Sequence, residues 1–306
     1  MEYVQVLIAG GGMAGLSAAI WCERLGLSCV LIEKTDRLGG QLTQIRNHIW
    51  DLPPRTYADG PALLGELLAH DALKNVSIRC GEELAAIDPD RRTVTTNRRT
   101  YHPDWLIIAT GVSHNQIPAL AHSPHVLQPW FSTTAEAETV SGMDVAVIGG
   151  GDRAAESACN LARHARSVHL LVRSNHLRAR RQWTEQLSRL PSLTILWETE
   201  VVDCREEAGK AILTLRSARA DTPAALAVDR ILPRIGVHGN SDSVKKALGA
   251  DDHGYLLTDP YQQTEGAGWV YAIGDVANGA EYASLALAAG QAMKAVKHIS
   301  LQTKEQ

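Results

Sequence analysis

Two short glycine runs carry the chemistry open to this chain. Gly10, Gly12 and Gly15 stand in G-x-G-x-x-G spacing, and Gly149, Gly151 and Ala154 in G-x-G-x-x-A spacing. Between a strand and a helix, the first glycine permits the tight turn and the second lets backbone approach a pyrophosphate. The small third residue lets helix and strand pack closely. The helix N-terminus adds free N–H groups and a partial positive charge. Glu33 ends the apolar run after the first turn, where an acid accepts hydrogen bonds from a ribose diol. The corresponding run after the second turn ends Val172-Arg173-Ser174, with no acid, and Arg178, Arg180 and Arg181 follow. That favours a ribose bearing a 2′-phosphate, hence NADPH over NADH. A solvated basic helix start is the competing reading. Asp275 follows Gly274 at the end of a late apolar run, placed either to hold a ligand hydroxyl or to cap the final helix.

The elements that must position these residues follow from periodicity. Val4–Ala9 reads as a buried parallel strand, Ala14–Leu25 as a helix stopped by Gly26, and Cys29–Ile32 as the next strand. Gly39-Gly40 suggests close backbone approach to a ligand. Residues 47–60 read as a loop, Pro61–Leu73 as a helix and Val76–Cys80 as a third strand. Glu83–Ile87 and Thr93–Thr96, split by Asp88-Pro89-Asp90, read as a small antiparallel insertion. Trp105–Ala109 is a buried strand ending in Thr110-Gly111. The pattern then restarts with Asp144–Ile148, a helix through Glu156, and the strand Ser167–Val172: a whole domain type repeated. Val228–Leu232 and Trp269–Ile273 are later strands, and Ala283–Ile299 is a terminal helix. The expected fold is α/β: two Rossmann-like dinucleotide-binding domains, the second inserted into the first, with small antiparallel β insertions. The expected boundaries are 1–116 with 247–306 for the first domain and 117–246 for the second.

Composition narrows the function. The 306 residues suffice for two domains, and 45% hydrophobic content for a sizeable core. A net charge of -4 argues against a nucleic-acid binder. No apolar run approaches the ~20 residues of a membrane span, and the first strand begins too early to leave room for a signal peptide. The five cysteines are scattered and odd in number, unlike a secreted disulfide framework, so a cytoplasmic protein is expected. The twelve histidines show no metal spacing.

In combination, Gly39-Gly40-Gln41-Leu42, Ala109-Thr110-Gly111, the run Gly149 to Glu156, Val168 to Arg173 and Gly274-Asp275-Val276 resemble the low-molecular-weight thioredoxin reductase family over nearly the whole chain. The resemblance implies FAD in the discontinuous first domain, NAD(P)H in the inserted one, and a homodimer. It places Gly10, Gly12, Ala14, Gly15, Glu33, Gly40, Gln41, Leu42, Gly111, Gly274 and Asp275 at the FAD, with Lys34, Asp51, Thr110 and Ser284 completing that set. Gly149, Gly151, Asp152, Arg153, Ala154, Glu156, Arg173 and Arg178 would surround the nicotinamide nucleotide.

The departures redirect the chemistry. The family's C-x-x-C slot, counted back from Val145, holds Ser132-Thr133-Thr134-Ala135, and no C-x-x-C stands elsewhere. Hydroxyls form neither a disulfide nor a thiolate adduct. The segment from His125 to Asp144 resembles that of thioredoxin-reductase-like ferredoxin–NADP reductases, although the aromatic C-terminal extension of those proteins and the complete basic motif are lacking. The expectation is therefore an FAD-dependent NAD(P)H oxidoreductase without a redox dithiol, with NADPH as donor and NADH also possible. Its acceptor would be ferredoxin, flavodoxin or a small molecule. No side chain is needed as acid or base for hydride transfer, so no catalytic residue is assigned. Two alternatives stay open: thiol chemistry through other cysteines or external thiols, and a non-catalytic or redox-sensing flavoprotein. Cys22, Cys29, Cys80, Cys159 and Cys204 read as buried packing groups on helices and strands. Trp130 and Phe131 read as cover for the flavin or as core, and His238 and Asn240 as contacts near the nicotinamide nucleotide.

Overall fold

The computed structural model describes residues 1–218 and 224–305. Its chain divides into two units, Met1–Ser113 together with the chain from Val237 onward, and His114–Gly236.

The first unit is built on a mostly parallel sheet whose strands run in the order Gln263–Thr264, Ala267–Ala272, Thr100–Ile108, Glu2–Ala9, Cys29–Glu33 and Ser77–Cys80. Val6, Leu7 and Ile8 are fully buried, as are Leu106, Ile107 and Ile108, which explains their unbroken apolar runs. Ala9 pairs with both Ile32 and Ile108, and Ile108 with Ala272. The parallel strands therefore end at one level, and their carboxyl ends deliver Gly10, Glu33, Ala109 and Ile273-Gly274 to the same edge. The helix Met13–Arg24 and the terminal helix Leu285–Glu305 pack together within this unit's core. The insertion is a hairpin of Leu84–Asp88 with Thr93–Thr96, hydrogen-bonded to Thr100–Ile108.

One helix differs from the sequence reading. The helix expected to reach Leu73 spans Gly60–Leu68, and a 3₁₀ turn, Asp71–Asn75, follows. His70 breaks it, because its Nδ1 accepts the Ala72 amide and restarts the chain in a new direction. By their contacts, residues 237–246 group with the first unit. Val244 and Leu248 are buried in its core, and the Ser241 hydroxyl donates to the Gly254 carbonyl at 2.6 Å.

The second unit has a parallel sheet in the order Leu193–Trp197, Ser167–Val172, Asp144–Ile148, Arg230–Pro233. Beside it lies an antiparallel sheet of Thr199–Glu207, Lys210–Ser217 and Ala224–Val228. This second sheet escaped the sequence reading beyond Cys204. A register shift between Val201 and Asp203 breaks the alternation that marks a half-buried strand. Its first hairpin closes through Ala208 and Gly209, both at positive φ. Asp144 and Asp229 bind Arg166 and Lys210 in an ionic cluster that ties the strand starts together.

Candidate functional site

The two glycine turns are built alike. The Gly10 amide donates to the Ile32 carbonyl at 2.8 Å, and the Gly149 amide to the Leu171 carbonyl at 3.0 Å. Both glycines sit at positive φ, +114° and +143°, where an L side chain is strained. A Cβ on Gly10 would lie 2.3 Å from the Ala109 carbonyl oxygen, and one on Gly149 would lie 2.2 Å from that of Arg234. The matching makes Glu33 equivalent to Val172, Ala109 to Arg234 and Gly111 to Gly236. An acid therefore follows the first turn and an apolar residue the second.

In the first unit the strand-end residues converge. Glu33 is 7% exposed. Its Oε2 accepts the Gly11 amide at 2.7 Å, and its Oε1 accepts the amide and hydroxyl of Thr35, each at 2.9 Å. The Gly39 amide donates to the Gly11 carbonyl at 2.8 Å, and the Gly12 Cα lies 3.3 Å from where a Gly40 Cβ would stand. The Gln41 Nε2 donates to the Asp275 Oδ2 at 2.9 Å, and a Gly111 Cβ would stand 3.9 Å from that nitrogen. Burial raises the Asp275 carboxyl above its ordinary value, with Gln41 pulling it back down. A Cβ on Gly274 would meet the Ala14 methyl at 2.8 Å. Leu42 is buried under this cluster against Ile49 and Leu63.

The structure thus brings Gly10, Gly12, Ala14, Gly15, Glu33, Gly40, Gln41, Leu42, Gly111, Gly274 and Asp275 to one crevice. Lys34 and Asp51 are exposed, Asp51 in the loop beyond Ile49. Ser284 caps the terminal helix, its carbonyl accepting the Ala288 amide and its hydroxyl the Leu287 amide. Asp275 therefore does not cap that helix; it opens the short helix Asp275–Asn278. The Thr110 hydroxyl is committed to the Asn240 carbonyl at 2.7 Å.

Two residues hold this crevice in a role the sequence did not reveal: Gln291, which went unassigned, and Asn240, which read as a contact near the nicotinamide nucleotide. Gln291 is 9% exposed, and its Oε1 accepts the Gly274 amide at 2.8 Å. Asn240 clamps the Thr110-Gly111 turn, its Nδ2 donating to the Thr110 carbonyl at 2.9 Å and its amide to the Gly111 carbonyl. It acts inside the first unit. Nothing local in the sequence signals either pairing, since the partners lie far apart along the chain.

The crevice fits a dinucleotide. The helix Met13–Arg24 begins at Gly12 with no side-chain cap and no acid in its first turn, so its N-terminal amides remain available to phosphate. A Cβ built on Gly12 meets nothing within 4 Å, which leaves open the space a pyrophosphate needs.

In the second unit Asp152 opens the helix Asp152–Leu161, and its carboxylate binds the Arg180 side chain at 2.7 Å and the Arg180 amide at 2.6 Å. Arg181 pairs with Glu185. These two arginines are thereby committed, whereas Arg173 and Arg178 are exposed and make no ion pair among the described residues. The Arg178 amide donates to the Gly150 carbonyl at 2.7 Å, closing the turn. Ala154 is fully buried against the strand, Arg153 is exposed and Glu156 half-buried. Behind Gly149, the Arg234 guanidinium donates to Ser157 and to the carbonyls of Pro129 and Phe131. Burial lowers its pKa to about 10, with Arg153 nearby adding to the shift.

His114 lies near Arg153 and Arg234, and burial followed by these two charges depresses its pKa to about 4. In the unfolded chain a histidine titrates near ~6.5. Between those values the unfolded state binds more protons, so this group's contribution to stability is full at neutral pH and is lost as pH falls through that window. Half-buried His169 is shifted in the same direction, chiefly by burial. The melting temperature should fall on acidification from pH 6.5 towards 4, and His114→Asn should flatten that fall in a thermal-melt series.

The segment 132–135, which fills the C-x-x-C slot, is a hydroxyl turn. The Ser132 Oγ accepts the Ala135 amide at 3.0 Å and lies 3.1 Å from the Thr134 hydroxyl, while the Ser132 amide donates to Glu136. Phe131 packs in the second unit's core and Trp130 is exposed. All five cysteines are free. The neighbouring Cys29 thiol and burial push the Cys22 thiol up. Among the described residues no helix is long and apolar enough to cross a membrane, and no cluster could hold a metal ion.

A family model for pyridine nucleotide-disulphide oxidoreductases matches residues 4–292. The chain is 30% identical to a thioredoxin reductase of Streptomyces coelicolor, covering 89% of this chain and 85% of the relative. It is 29% identical to a ferredoxin–NADP reductase of Limosilactobacillus fermentum, covering 98% and 94%. Among solved structures, thioredoxin reductase of Lactococcus lactis superposes with a TM-score of 0.80 at 21% identity, over 99% of this chain and 100% of the other; that likeness concerns the fold.

Proposed function

Because the chain belongs to the pyridine nucleotide-disulphide oxidoreductase family, we propose that it is an FAD-dependent NAD(P)H oxidoreductase that works without a redox dithiol. The observation that carries this is the pair of matched glycine turns, one followed by Glu33 and the other by Val172 with Arg173 after it, in a chain whose C-x-x-C slot holds Ser132 and Ala135. When bound, FAD supplies acceptance of a hydride and onward transfer of its electrons. The residues supply position and charge. Gly12 and the helix behind it take the pyrophosphate, Glu33 the adenosine ribose, and the Gln41–Asp275 pair the polar chain near the flavin. Lys34, Thr110 and the Asp51 loop border that site, and Ser284 holds the terminal helix beside it. In the second unit Gly149, Gly151 and Ala154 seat the NAD(P)H phosphates, Arg153 and Arg178 flank them, and Arg173 takes the 2′-phosphate. Asp152 and Glu156 shape the turn.

The acceptor is a one-electron protein such as ferredoxin or flavodoxin, or a small molecule, because no dithiol is present to carry a pair of electrons onward. The relative named as a ferredoxin–NADP reductase supports this choice. We place the active form as a homodimer acting in the cytoplasm, whose reducing conditions suit the five free thiols.

A thiol route through Cys22 and Cys29 is the second reading, favoured by the nearness of the two thiols. Against it, Cys29 begins the strand that Glu33 ends, so the thiols lie roughly 13 Å along the strand from the nucleotide crevice.

Anaerobic mixing with NADPH, then separately with NADH, tests the reading by absorbance of the flavin. Rapid bleaching by NADPH is expected; no bleaching by either nucleotide overturns it. A reductive titration should then consume one electron pair per flavin. Uptake of a second pair, lost in Cys22→Ser, would show that Cys22 and Cys29 form a disulfide in the resting protein and take part.

A further inference from the structure

The two matched turns differ in what opens the helix behind them. The helix Met13–Arg24 has no acid in its first turn, whereas Asp152 is the first residue of the helix Asp152–Leu161. Neither helix has a side-chain cap at its leading glycine, so the first amides of both face the place of a phosphate. A bare carboxylate there would repel that phosphate. Asp152 is not bare: its Oδ1 accepts the Arg180 amide at 2.6 Å, and its Oδ2 lies 2.7 Å from the Arg180 Nε. The Arg178 amide donates to the Gly150 carbonyl at 2.7 Å. These two backbone bonds lay the segment from Arg178 to Arg180 along the glycine turn. The Arg180 side chain is 66% exposed and that of Asp152 37%, and an ion pair so open to solvent adds little to stability. Its charge balance bears instead on an anion bound at the turn.

Resting on the reading that this unit binds NAD(P)H, we propose that Arg180 is a positioning residue for the pyrophosphate: its guanidinium cancels the Asp152 charge at the helix start and does not reach the 2′-phosphate. Its backbone amide, held by the same carboxylate, keeps Arg178 beside Gly150. Arg180 therefore acts on NADH and NADPH alike. Arg173, exposed and without an ion pair among the described residues, is left to tell the two apart. The first turn needs no such device, because its helix opens on Met13.

The test is equilibrium binding of NADP⁺ and of NAD⁺ to the flavin-loaded protein by calorimetry; both nucleotides are oxidised, so no turnover is involved. Arg180→Gln leaves the Asp152 carboxylate uncompensated. A charge acting on a phosphate across ~7 Å in a partly solvated site is equivalent to about a tenfold change. Arg180→Gln should therefore weaken both nucleotides about tenfold, leave the ratio of their affinities unchanged, and lose part of that effect at high salt. Adding Asp152→Asn to Arg180→Gln should restore the parent affinity, since asparagine keeps an oxygen for the residue 180 amide and carries no charge. Thermal melting of both variants should match the parent. A loss confined to NADP⁺ would make Arg180 a 2′-phosphate ligand and overturn the proposal. Unchanged affinity for both nucleotides, a loss that Asp152→Asn does not rescue, or a fall in melting temperature that accompanies the loss also overturns it, and each leaves the nucleotide assignment standing. If neither nucleotide binds the parent protein, the nucleotide assignment falls and this inference with it.

Discussion

Gly12→Ala should leave the first unit folded and release its flavin. Gly12 has an ordinary negative φ of -84°, and a Cβ there meets nothing within 4 Å, so the protein alone tolerates the methyl. The space it fills is the approach path of the pyrophosphate to the uncapped helix. The variant should purify colourless or regain flavin only at high concentration, with the melting temperature of the flavin-free form unchanged. Gly15→Ala provides the contrast. Its Cβ would stand 1.9 Å from the Gly10 carbonyl oxygen, which is backbone and cannot swing away. That variant should lose both flavin and stability, by about 3 kcal/mol or more, because the helix must move off the strand. Full flavin occupancy in Gly12→Ala would show that the pyrophosphate does not cross this residue.

Arg234→Met should produce the largest loss in the second unit. The guanidinium is half-buried, and the carbonyls of Pro129 and Phe131 both accept from it, at 2.6 and 2.7 Å. Methionine fills much of the volume and leaves both acceptors without a donor, at about 1–3 kcal/mol each. A loss near 3 kcal/mol corresponds to a fall of roughly 10 °C in the melting of a unit this size. The Arg234 carbonyl also abuts Gly149, so the turn behind the nucleotide should loosen and NADP⁺ binding weaken. Arg234→Lys should recover little, since a single ammonium cannot reproduce the fork. Calorimetric melting together with NADP⁺ titration checks both parts; a melt within 2 °C of the parent would refute the account of Arg234 as the anchor.

Most of this fold was legible because its local signals agree. The run Val4–Ala9, the glycine spacing and the helix that follows each point to one strand–turn–helix unit, and so does their recurrence at Asp144. Glu33 and Arg173 were readable for the same reason, being set by their distance from a glycine turn. What stayed hidden depends on partners remote in sequence. Gln291 reaches Gly274 from the terminal helix, and Asn240 bonds Thr110, 130 residues away in sequence. Arg234 occupies the place that Ala109 holds in the first unit, and only superposing the turns reveals that a guanidinium has replaced a methyl. The antiparallel sheet that begins at Thr199 was obscured by its register shift.

The hydroxyl turn at Ser132 bears on how a dithiol could be installed in this chain. Its geometry already sets residue 132 against residue 135 through the bond from the Ala135 amide to the Ser132 oxygen, the same i to i+3 interval that a C-x-x-C needs. Ser132→Cys together with Ala135→Cys would place two thiols at that interval by side-chain changes alone, whereas a side chain added at Gly10 or Gly149 meets backbone near 2 Å.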